Sequence, residues 1–383
     1  MQKRIGIISV IIVFVILLIG IIVLYNNSNN KYSFIQDGIK YALTLDGEKT
    51  TSFPPKGMYK AQVTCENADG RWLYDDWKLA IENITSDDVT CDIKFETISK
   101  TYLNDYIISL AGSTQGTGQV VNENGYRYEG KNPNNYIWFN NEYWRIIGVF
   151  DSASHGQSNK NLVKIIRDDV LDGLVWDKSN TNNWNTSSLK SLLNGAYYNA
   201  QDGTSSGYCY GYSTTATANC DYTKRGIQLG YREMIASVTW YLGGYSSTSV
   251  TTSAFYGYER GTTVYSGNAT SITAYIGLMY PSDYGYSVLS SSCARTTNFI
   301  SYGTAECAGQ SWLYGKGYQW TLTHYSSNRY YVFTLLNTGR VFNNYDTDHG
   351  YGFRPVLYLD ASVYKIDGDG SLKNPYIVGM WYA

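Results

Sequence analysis

Three histidines and two closely spaced aspartates are the residues from which this chain could build a metal site or an acid–base pair. His155 lies in a Ser- and Asn-rich loop, where we expect a solvated side chain rather than a metal ligand. His324 and His349 flank a Tyr- and Asn-rich stretch, and only the fold could bring them together as a ligand pair. Asp346 and Asp348 offer oxygen ligands, but the other positions of a calcium-binding loop are missing, which favours a plain acidic turn. We therefore predict no metal and no other cofactor.

Signatures of catalysis are weak in this sequence. The letters GTSSG at residues 203–207 fit the Gly-x-Ser-x-Gly pattern of a nucleophile elbow. Such an elbow needs an apolar strand before it and a helix after it, and the flanking sequence predicts neither. Glu259 and Arg260 are adjacent in charge-poor surroundings, which favours a structural ion pair over acid–base work. We therefore predict that the protein is not an enzyme.

A stretch near the C-terminus is rich in Tyr and Asn, residue types that are typical of binding surfaces. Apolar residues between 332 and 342 must face a core, so the segments 324–331 and 343–351 beside them are predicted to face outward. Tyrosine provides a large, rigid contact area, and Asn and Ser provide adaptable hydrogen bonds. The predicted ligand-binding residues are Tyr325, Asn328, Tyr330, Tyr331, Asn343, Asn344, Tyr345, Asp346 and Tyr351.

The predicted ligand of this face is an extracellular glycan or protein. A binding surface of Tyr, Asn and Ser suits either partner, because the same side chains stack on sugar rings and pack against proteins. Two other interpretations stay open. The rings could pack only against their own neighbours, or they could pack against copies of the chain in a self-assembling surface layer or stalk.

The composition indicates a surface covered by hydroxyl and amide groups rather than by charge. Of 383 residues, 39 are Tyr and 37 are Gly, whereas charged residues make up 16%. The formal net charge is −2, which argues against electrostatic binding of nucleic acid. The length predicts about two or three domains.

Residues 5–25 form an apolar run that predicts a transmembrane anchor. As an uncharged helix it would span roughly 30 Å, the hydrocarbon thickness of a bilayer. Lys3 and Arg4 precede it, and positive charge on this side predicts that residues 1–4 form a cytoplasmic tail. A cleaved secretory signal is the alternative, but the run is long and no small-x-small cleavage site follows it. We expect an uncleaved anchor in the cell membrane, with all later residues outside the cell.

All six cysteines follow this run, and their even number predicts disulfides formed in an oxidising compartment. Proximity along the chain favours the pairs Cys65–Cys91, Cys209–Cys220 and Cys293–Cys307. Each bridge would stabilise the fold by about 3 kcal/mol through restriction of the unfolded chain. The closely spaced Cys or His pairs of a zinc site do not occur.

The spacing of apolar runs and turns predicts how the extracellular part is organised. Residues 35–98 alternate apolar and polar positions in short runs, which predicts a small β-sandwich that serves as a spacer. A Gly-, Thr- and Ser-rich break follows a segment with helical spacing. The predicted order is a linker at 26–34, the spacer at 35–98, a helix and linker at 99–118 and a large domain at 119–383.

Within the large domain, the periodicity predicts both helices and strands. Residues 102–111 and 186–199 have apolar residues at helical spacing, and Gly195 is expected to end the second helix. Two strand-like runs flank Asn140-Asn141, which predicts a hairpin over 136–150. Further strands are predicted at 162–168, 318–324, 330–336, 339–342 and 354–359. The predicted fold class is α+β, with a twisted antiparallel sheet and long loops on one side.

Three segments of this domain resemble a known group of proteins. They are YIWFNNEYWRIIGVF at 136–150, IGLMYPSDYGYS at 276–287 and YGFRPVLYLDASVYKIDGDGSLKNPYIV at 351–378. They resemble membrane-anchored surface proteins of Gram-positive bacteria, whose large domain is similar to the C-type lectin-like fold in its formylglycine-generating-enzyme-like form. FPPKGMYKAQVTC at 53–65 is similar to spacer repeats of the same proteins. The resemblance implies a fold and a place at the cell surface, where recognition or adhesion is expected.

The chain lacks the residues on which the activities of the better-known lectin-like proteins depend. The Glu-Pro-Asn, Gln-Pro-Asp and Trp-Asn-Asp triplets of calcium-dependent sugar-binding lectins do not occur here. Formylglycine-generating enzymes use a closely spaced pair of cysteines, whereas Cys293 and Cys307 lie far apart in a Ser- and Thr-rich loop. Neither calcium-dependent sugar binding nor formylglycine formation can be transferred to this chain.

Overall fold

The computed structural model describes residues 33–57, 59–74, 76–212 and 216–380, apart from the side chains of Asp172 and Asn344. The chain divides into two compact units, Met1–Ser99 and Lys100–Ala383. The predicted anchor at 5–25 lies outside the described residues. Among the described residues, none of the helices has the length and apolar character needed to cross a bilayer.

The small unit is built from short strands with turns between them. They are β1 (Phe34–Gln36), β2 (Ile39–Leu45), β3 (Glu48–Thr50), β4 (Tyr59–Glu66), β5 (Asp69–Leu73), β6 (Lys78–Glu82) and β7 (Thr90–Thr97). One sheet has the order β1-β2-β7-β4, with β3 added beside β2, and β5 and β6 form a separate hairpin. The strands β2 and β7 run parallel, so this unit is not a simple meander.

A thin aromatic core and one disulfide hold the small unit together. Trp72 of the β5–β6 hairpin packs edge-on against Phe95 of the sheet, with 4.9 Å between ring centroids. Cys65 and Cys91 lie directly opposite each other on β4 and β7 and form a disulfide, as predicted. A unit of this size buries little apolar surface, so the bridge between its strands matters for stability.

The large unit contains the remaining strands. In its first half they are β8 (Thr101–Tyr102), β9 (Thr114–Gln115), β10 (Thr117–Asn122), β11 (Tyr126–Asn132), β12 (Tyr136–Phe139), β13 (Glu142–Phe150), β14 (Leu162–Arg167), β15 (Leu171–Val175), β16 (Tyr210–Tyr212), β17 (Ala216–Thr217) and β18 (Val238–Tyr241). In its second half they are β19 (Ser271–Ala274), β20 (Ile276–Gly277), β21 (Gln319–His324), β22 (Tyr331–Leu335), β23 (Val341–Asp346), β24 (Gly350–Phe353), β25 (Val356–Leu359), β26 (Val363–Asp367) and β27 (Tyr376–Met380).

Two sheets contain most of these strands, and β16–β17 and β18–β19 form separate two-stranded sheets. The larger has 11 strands, with the order β20-β25-β14-β13-β12-β27-β26-β8 and with β9, β10 and β11 joined to it through β13. The smaller has 5 strands in the order β15-β24-β21-β22-β23 and carries the predicted binding segments. Most pairs are antiparallel, but β12 and β27 run parallel, as do β21 and β24.

Helices are few and short in the described part of the large unit. They are α1 (Leu103–Ser109), α2 (Ser152–His155), α3 (Ser188–Leu192), α4 (Leu229–Arg232), α5 (Thr252–Glu259) and α6 (Pro281–Ser287), with 3-10 turns at Trp184–Thr186, Phe299–Ser301 and Ala308–Gln310. The predicted stop at Gly195 is wrong, because α3 continues as a π-helical turn over Leu193–Tyr197. This turn buries Leu193 and Tyr197, which shows that core packing outweighs the glycine.

The predicted α+β fold class is wrong, because the structure is mostly β, with 40% strand and 14% helix. Part of the difference lies in 208–286, a region rich in Tyr, Gly, Ser and Thr, where weak periodicity predicts long ordered loops. Loops do cover much of this region, but five short strands, from β16 to β20, also lie within it. Their apolar residues are too few to produce a clear alternation, so the pattern underestimated the strand content. Since the fold class is corrected, the lectin-like fold expected from the resemblance is not carried further.

Local features of the large unit follow the sequence more closely. β12 and β13 form the predicted hairpin, and Asn140 and Asn141 both adopt positive φ, at 57° and 59°. Asparagine tolerates this left-handed region better than most residues, and two-residue hairpin turns require it. Cys209 bonds to Cys220 and Cys293 to Cys307, so both predicted bridges are confirmed.

Candidate functional site

A polar cleft opens beside the loop that precedes β22. Its volume is about 300 Å³, at the lower end of the size range of ligand-binding pockets. Three chain segments line it: the run before α3, the turn before β19 and the β21–β22 loop. The lining residues are Thr181, Asn182, Asn183, Thr186, Tyr265, Ser266, Gly267, Asn268 and Arg329. We call this the Asn182 cleft.

Asn182 joins the three segments that form the cleft. Its side chain is 1% exposed, and its Nδ2 lies 3.0, 2.8 and 2.9 Å from the carbonyl oxygens of Tyr325, Asn328 and Tyr331. An amide nitrogen has two hydrogens, so these three carbonyls share them. Asn268 Nδ2 donates to Asn182 Oδ1 at 2.9 Å. Asn182 therefore fixes the β21–β22 loop and the turn before β19 relative to its own segment.

The turn before β19 is positioned by a buried histidine. Asn268 N donates to Tyr265 O at 2.9 Å, and Gly267 adopts a φ of +87°, which a glycine tolerates without strain. Tyr265 N donates to His324 Nε2 at 3.1 Å, so this nitrogen carries no proton. Burial lowers the pKa of His324 to about 4, which keeps the ring neutral and able to accept this hydrogen bond.

Hydrogen bonds to the buried carboxylate of Asp177 fix the segment before α3. Asp177 Oδ2 accepts hydrogen bonds from the backbone N and the hydroxyl of Thr181, at 3.2 and 2.7 Å. Thr347, which follows β23, donates its backbone N to Tyr330 O at 3.0 Å and its hydroxyl to Asn180 Oδ1 at 3.0 Å. The walls of the cleft thus belong to one hydrogen-bonded network that preorganises it.

Arg329 is the one charged residue among those that line the Asn182 cleft. It is exposed, and no ion pair joins it to another described residue. Its guanidinium lies 5.2 Å from the ring centroid of Tyr330, within the range of a cation–π contact. The remaining lining groups are amides, hydroxyls and backbone, so the cleft combines neutral hydrogen-bonding groups with one positive charge.

Four of the nine predicted ligand-binding residues lie around this cleft. Tyr325, Asn328 and Tyr331 contribute the carbonyls that Asn182 binds. Tyr325 is half-buried and donates its hydroxyl to Ser246 O at 2.8 Å, whereas Tyr330 is 41% exposed. None of these four residues lines the cleft itself, but they belong to the end of β22 and the β21–β22 loop, which carries Arg329.

The other predicted residues lie elsewhere on the same sheet. Tyr345 and Tyr351 pack at 5.3 Å between centroids and contact Tyr318 at 5.9 and 5.6 Å, in a half-buried ring cluster. Asn343 is buried at 7% exposure, and Asp346 pairs with Tyr331 across β22 and β23. The side chain of Asn344 lies outside the described part. The described members of the set therefore divide between the β21–β22 loop and the ring cluster, and the side chain of Asn343 is buried.

The histidines occupy different environments from those the sequence predicted. His155 is fully buried rather than solvated. Gln157 N donates to its Nδ1 at 3.1 Å, so Nε2 carries the proton and donates to Phe150 O at 3.1 Å. His349 lies beside Asp348 and Asp346, with one ligand-type atom of each residue within 4.8 Å of the others. These groups are partly exposed, and three side chains would leave most of a cation's coordination sphere to water.

No motif in the sequence indicated the Asn182 cleft directly, although one signal was present. Residues 181–186 read Thr-Asn-Asn-Trp-Asn-Thr, so a tryptophan stands in an otherwise polar run. Trp184 is buried and packs against Trp176 at 5.0 Å. An apolar anchor in a polar segment indicates that the segment is ordered, and ordered polar loops are typical of binding sites.

The chain was compared with protein-family models, curated proteins and solved structures. None of these comparisons gave a match. The geometry and chemistry of the Asn182 cleft therefore carry the functional argument alone.

The neutral state of His324 predicts a stability that falls in acid. The ordinary pKa of 6.5 applies to the unfolded chain and about 4 to the folded chain, so the unfolded state binds the proton more readily. The contribution of neutral His324 to the free energy of unfolding is fully present above pH 6.5. It is lost as the pH falls toward 4, by roughly 3 kcal/mol at most. Burial also lowers the pKa of His155, so His155 too makes the free energy of unfolding fall as the pH falls.

Chemical denaturation of the wild type and of His324→Gln at pH 7, 5 and 4 measures this effect. Glutamine retains a hydrogen-bond acceptor but does not titrate, so the variant is expected to lose less stability between pH 7 and 4. Equal losses in the two proteins would show that His324 does not contribute to the acid sensitivity.

Proposed function

We propose that this protein is a cell-surface recognition protein that binds a glycan in the Asn182 cleft. The observation that carries this proposal is the preorganised set of neutral polar side chains around the cleft. Asn183, Ser266 and Asn268 line it with amide and hydroxyl groups. Sugars present donor and acceptor hydroxyls in a fixed array, which such groups can bind.

The aromatic residues at the rim support the same ligand class. Tyr265 lines the cleft, and the exposed ring of Tyr330 lies 5.2 Å from the guanidinium of Arg329, which also lines it. Tyrosine is amphipathic and loses little conformational entropy on binding, so its ring can cover the apolar face of a sugar while its hydroxyl stays solvated. Arg329 adds donors in a planar fork, which would favour a glycan with an acidic or strongly accepting group.

The chemistry of the cleft supports binding rather than catalysis. The nine lining residues include no carboxylate, histidine or cysteine. A cleft without these groups holds no general acid, general base or thiol nucleophile to act on a bound ligand. We propose that the protein is not an enzyme at this site.

A location outside the cell is part of the same proposal. The apolar run at 5–25, with Lys3 and Arg4 before it, supports a single-pass anchor with a cytoplasmic N-terminus. Three disulfides support an oxidising compartment for both units. Membership of the Gram-positive surface-protein group, suggested by the motifs at 136–150 and 276–287, is proposed on the same basis.

A glycan array probed with the full chain tests the proposal, in a detergent that has no sugar headgroup. Wild-type protein is expected to bind a defined set of glycans, and Arg329→Ala to weaken that binding about tenfold or more, as loss of one charged hydrogen bond predicts. Arg340→Ala is the matched control, because Arg340 is an exposed arginine in the β22–β23 turn that does not line the cleft.

Two outcomes would contradict the proposal. Equal losses in Arg329→Ala and Arg340→Ala would show that the cleft does not select the ligand. Ordered self-association of the chain without glycan binding would favour the structural surface-layer role instead.

A further inference from the structure

Lys164 of β14 and Asp283 of α6 meet in the interior of the large unit. The Nζ of Lys164 lies 2.5 Å from Oδ2 of Asp283, and both side chains are 0% exposed. The two residues are 119 positions apart in the sequence. A lysine and an aspartate buried together without water are rare, because the transfer of both charges from water into the protein interior is costly.

Aromatic rings enclose the Lys164 amine. The ring centroids of Phe150, Trp240, Tyr280 and Tyr358 lie 5.7, 5.6, 4.4 and 5.6 Å from Nζ. Burial lowers the pKa of Lys164 to about 8, against the attraction of Asp283. A neutral, desolvated lysine amine is a strong nucleophile, so this environment brings the reactive form of Lys164 within reach at neutral pH.

The carboxyl group of Asp283 is held by donors on both oxygens. Arg127 Nη1 donates to Oδ1 at 3.1 Å, and the backbone N of Tyr280 donates to Oδ2 at 2.9 Å. Burial raises the pKa of Asp283, but Lys164 and Arg127 outweigh it and hold the pKa below its ordinary value. Donors fixed in this way would also stabilise the negative oxygen that forms when a nucleophile adds to the carboxyl carbon.

The buried carboxyl group of Glu259 can transfer the proton that must leave the amine when it adds to the carboxyl carbon of Asp283. Glu259, at the end of α5, accepts hydrogen bonds from the backbone N and the hydroxyl of Ser282, the residue before Asp283. Burial raises the pKa of Glu259 to about 7, even though Arg260 lies 3.2 Å away. Glu259 and Asp283 both accept from backbone N–H groups at the start of α6, those of Ser282 and Tyr280, so the two carboxyl groups share one helix end. From this position Glu259 can both accept and donate a proton near neutral pH.

We propose that Lys164 and Asp283 become joined by an intramolecular amide bond after folding. Proton transfer from the ammonium to the carboxylate gives a neutral amine and a carboxylic acid. The nitrogen lone pair then adds to the carboxyl carbon and forms the C–N bond, while Arg127 holds the oxyanion. Glu259 takes the second proton from nitrogen and delivers it to the departing hydroxyl, so the C–O bond breaks and one water molecule leaves. No oxidant or other reactant is required.

The surroundings favour this product for two physical reasons. The amine and the carboxyl group are already held in contact, so the reaction does not depend on two molecules meeting. Such a fixed arrangement raises the effective concentration of the reacting groups by many orders of magnitude. The reaction also converts two buried ions into one neutral amide, which removes their cost of desolvation without changing the net charge of the cluster. The water released leaves the reaction site for solvent.

Intact-mass spectrometry of the reduced full-length wild-type chain tests the proposal directly. The expected mass is lower by one water molecule than the sequence requires. Tryptic digestion is expected to leave the bond after Lys164 uncut and to yield a branched peptide that links Lys164 to Asp283 and survives reduction. A wild-type chain with its full sequence mass, cut after Lys164, would overturn the proposal without the need for any variant.

Two variants assign the roles within the reaction. Lys164→Arg keeps the positive charge but cannot form the amide, so its mass is expected to match its own sequence. Glu259→Gln removes the proton carrier and is expected to leave most of the chain unlinked. Complete linkage in Glu259→Gln would overturn the role of Glu259, and loss of water in Lys164→Arg would overturn the assignment to Lys164.

Discussion

Glu129→Ala is expected to destabilise the large unit by about 3–5 kcal/mol, whereas Glu123→Ala is expected to cost less than about 1 kcal/mol. Both carboxylates bind the guanidinium of Arg295, but Glu129 is 0% exposed and Glu123 is 36% exposed. Glu129 also accepts from Gln119 Nε2 at 2.7 Å and from the hydroxyl of Ser290 at 2.9 Å. Its removal leaves Arg295 Nη2 and two neutral donors without this buried acceptor, while Arg295 Nε keeps its contact with Glu123.

Hydrogen exchange with mass spectrometry can measure this difference in the peptides of the large unit. Peptides around Ser290 and Arg295 are expected to lose protection in Glu129→Ala and to keep it in Glu123→Ala. Similar protection in the two variants would mean that exposure does not determine the strength of the two ion pairs.

Asn182→Ala is expected to destabilise the large unit by about 3 kcal/mol and to abolish binding at the cleft. The substitution removes the donor that three carbonyls share, so Tyr325 O loses its side-chain donor and Asn328 O and Tyr331 O keep only backbone donors. Asn268 Nδ2 keeps only the backbone O of residue 182. Each buried group left short of a partner costs about 1–3 kcal/mol before the loops relax. Because Asn182 joins the three segments of the cleft, their relaxation changes the positions of Arg329 and Tyr265.

Asn185→Ala provides the matched control for this variant. Asn185 lies on the same segment but is exposed and does not line the cleft. Its substitution is expected to change stability by less than about 0.5 kcal/mol. Denaturation of the two variants, followed by tryptophan fluorescence, should separate them clearly. Equal stabilities would show that the hydrogen bonds of Asn182 are not needed to hold the loops.

Local features of this fold could be predicted because their causes lie in neighbouring residues. The Asn140-Asn141 turn follows from the tolerance of asparagine for positive φ between two apolar runs. The strand predicted at 162–168 is observed as Leu162–Arg167, since four of its six residues are apolar and β-branched or leucine, with Lys164 between them. The disulfides followed from short separations such as the one between Cys209 and Cys220.

The buried charged groups of the large unit could not be predicted, because the residues that contact each other are distant in the sequence. Lys164 appears in an apolar strand as an isolated lysine, and Asp283 appears as a capping residue in a turn-rich segment. Their contact depends on how β14 and α6 pack, which no local pattern records. Glu259 and Arg260 were predicted to form an ion pair and do so, but their burial became visible only in the fold.

The candidate binding site shows the same limit. Segment 324–331 was predicted from alternation, and it does border the Asn182 cleft. The partners of that segment, at 181–186 and 265–268, are far away in sequence and have no apolar periodicity. Alternation distinguishes the two faces of a strand, but it does not show which loops meet at its end.

A crystal structure of the protein with a glycan that binds on the array is the most direct test of the proposed function. We expect the sugar to occupy the Asn182 cleft, with hydrogen bonds to Asn183 or Asn268 and to the guanidinium of Arg329. A sugar bound instead at the rings of Tyr345 and Tyr351, with the cleft empty, would contradict the account.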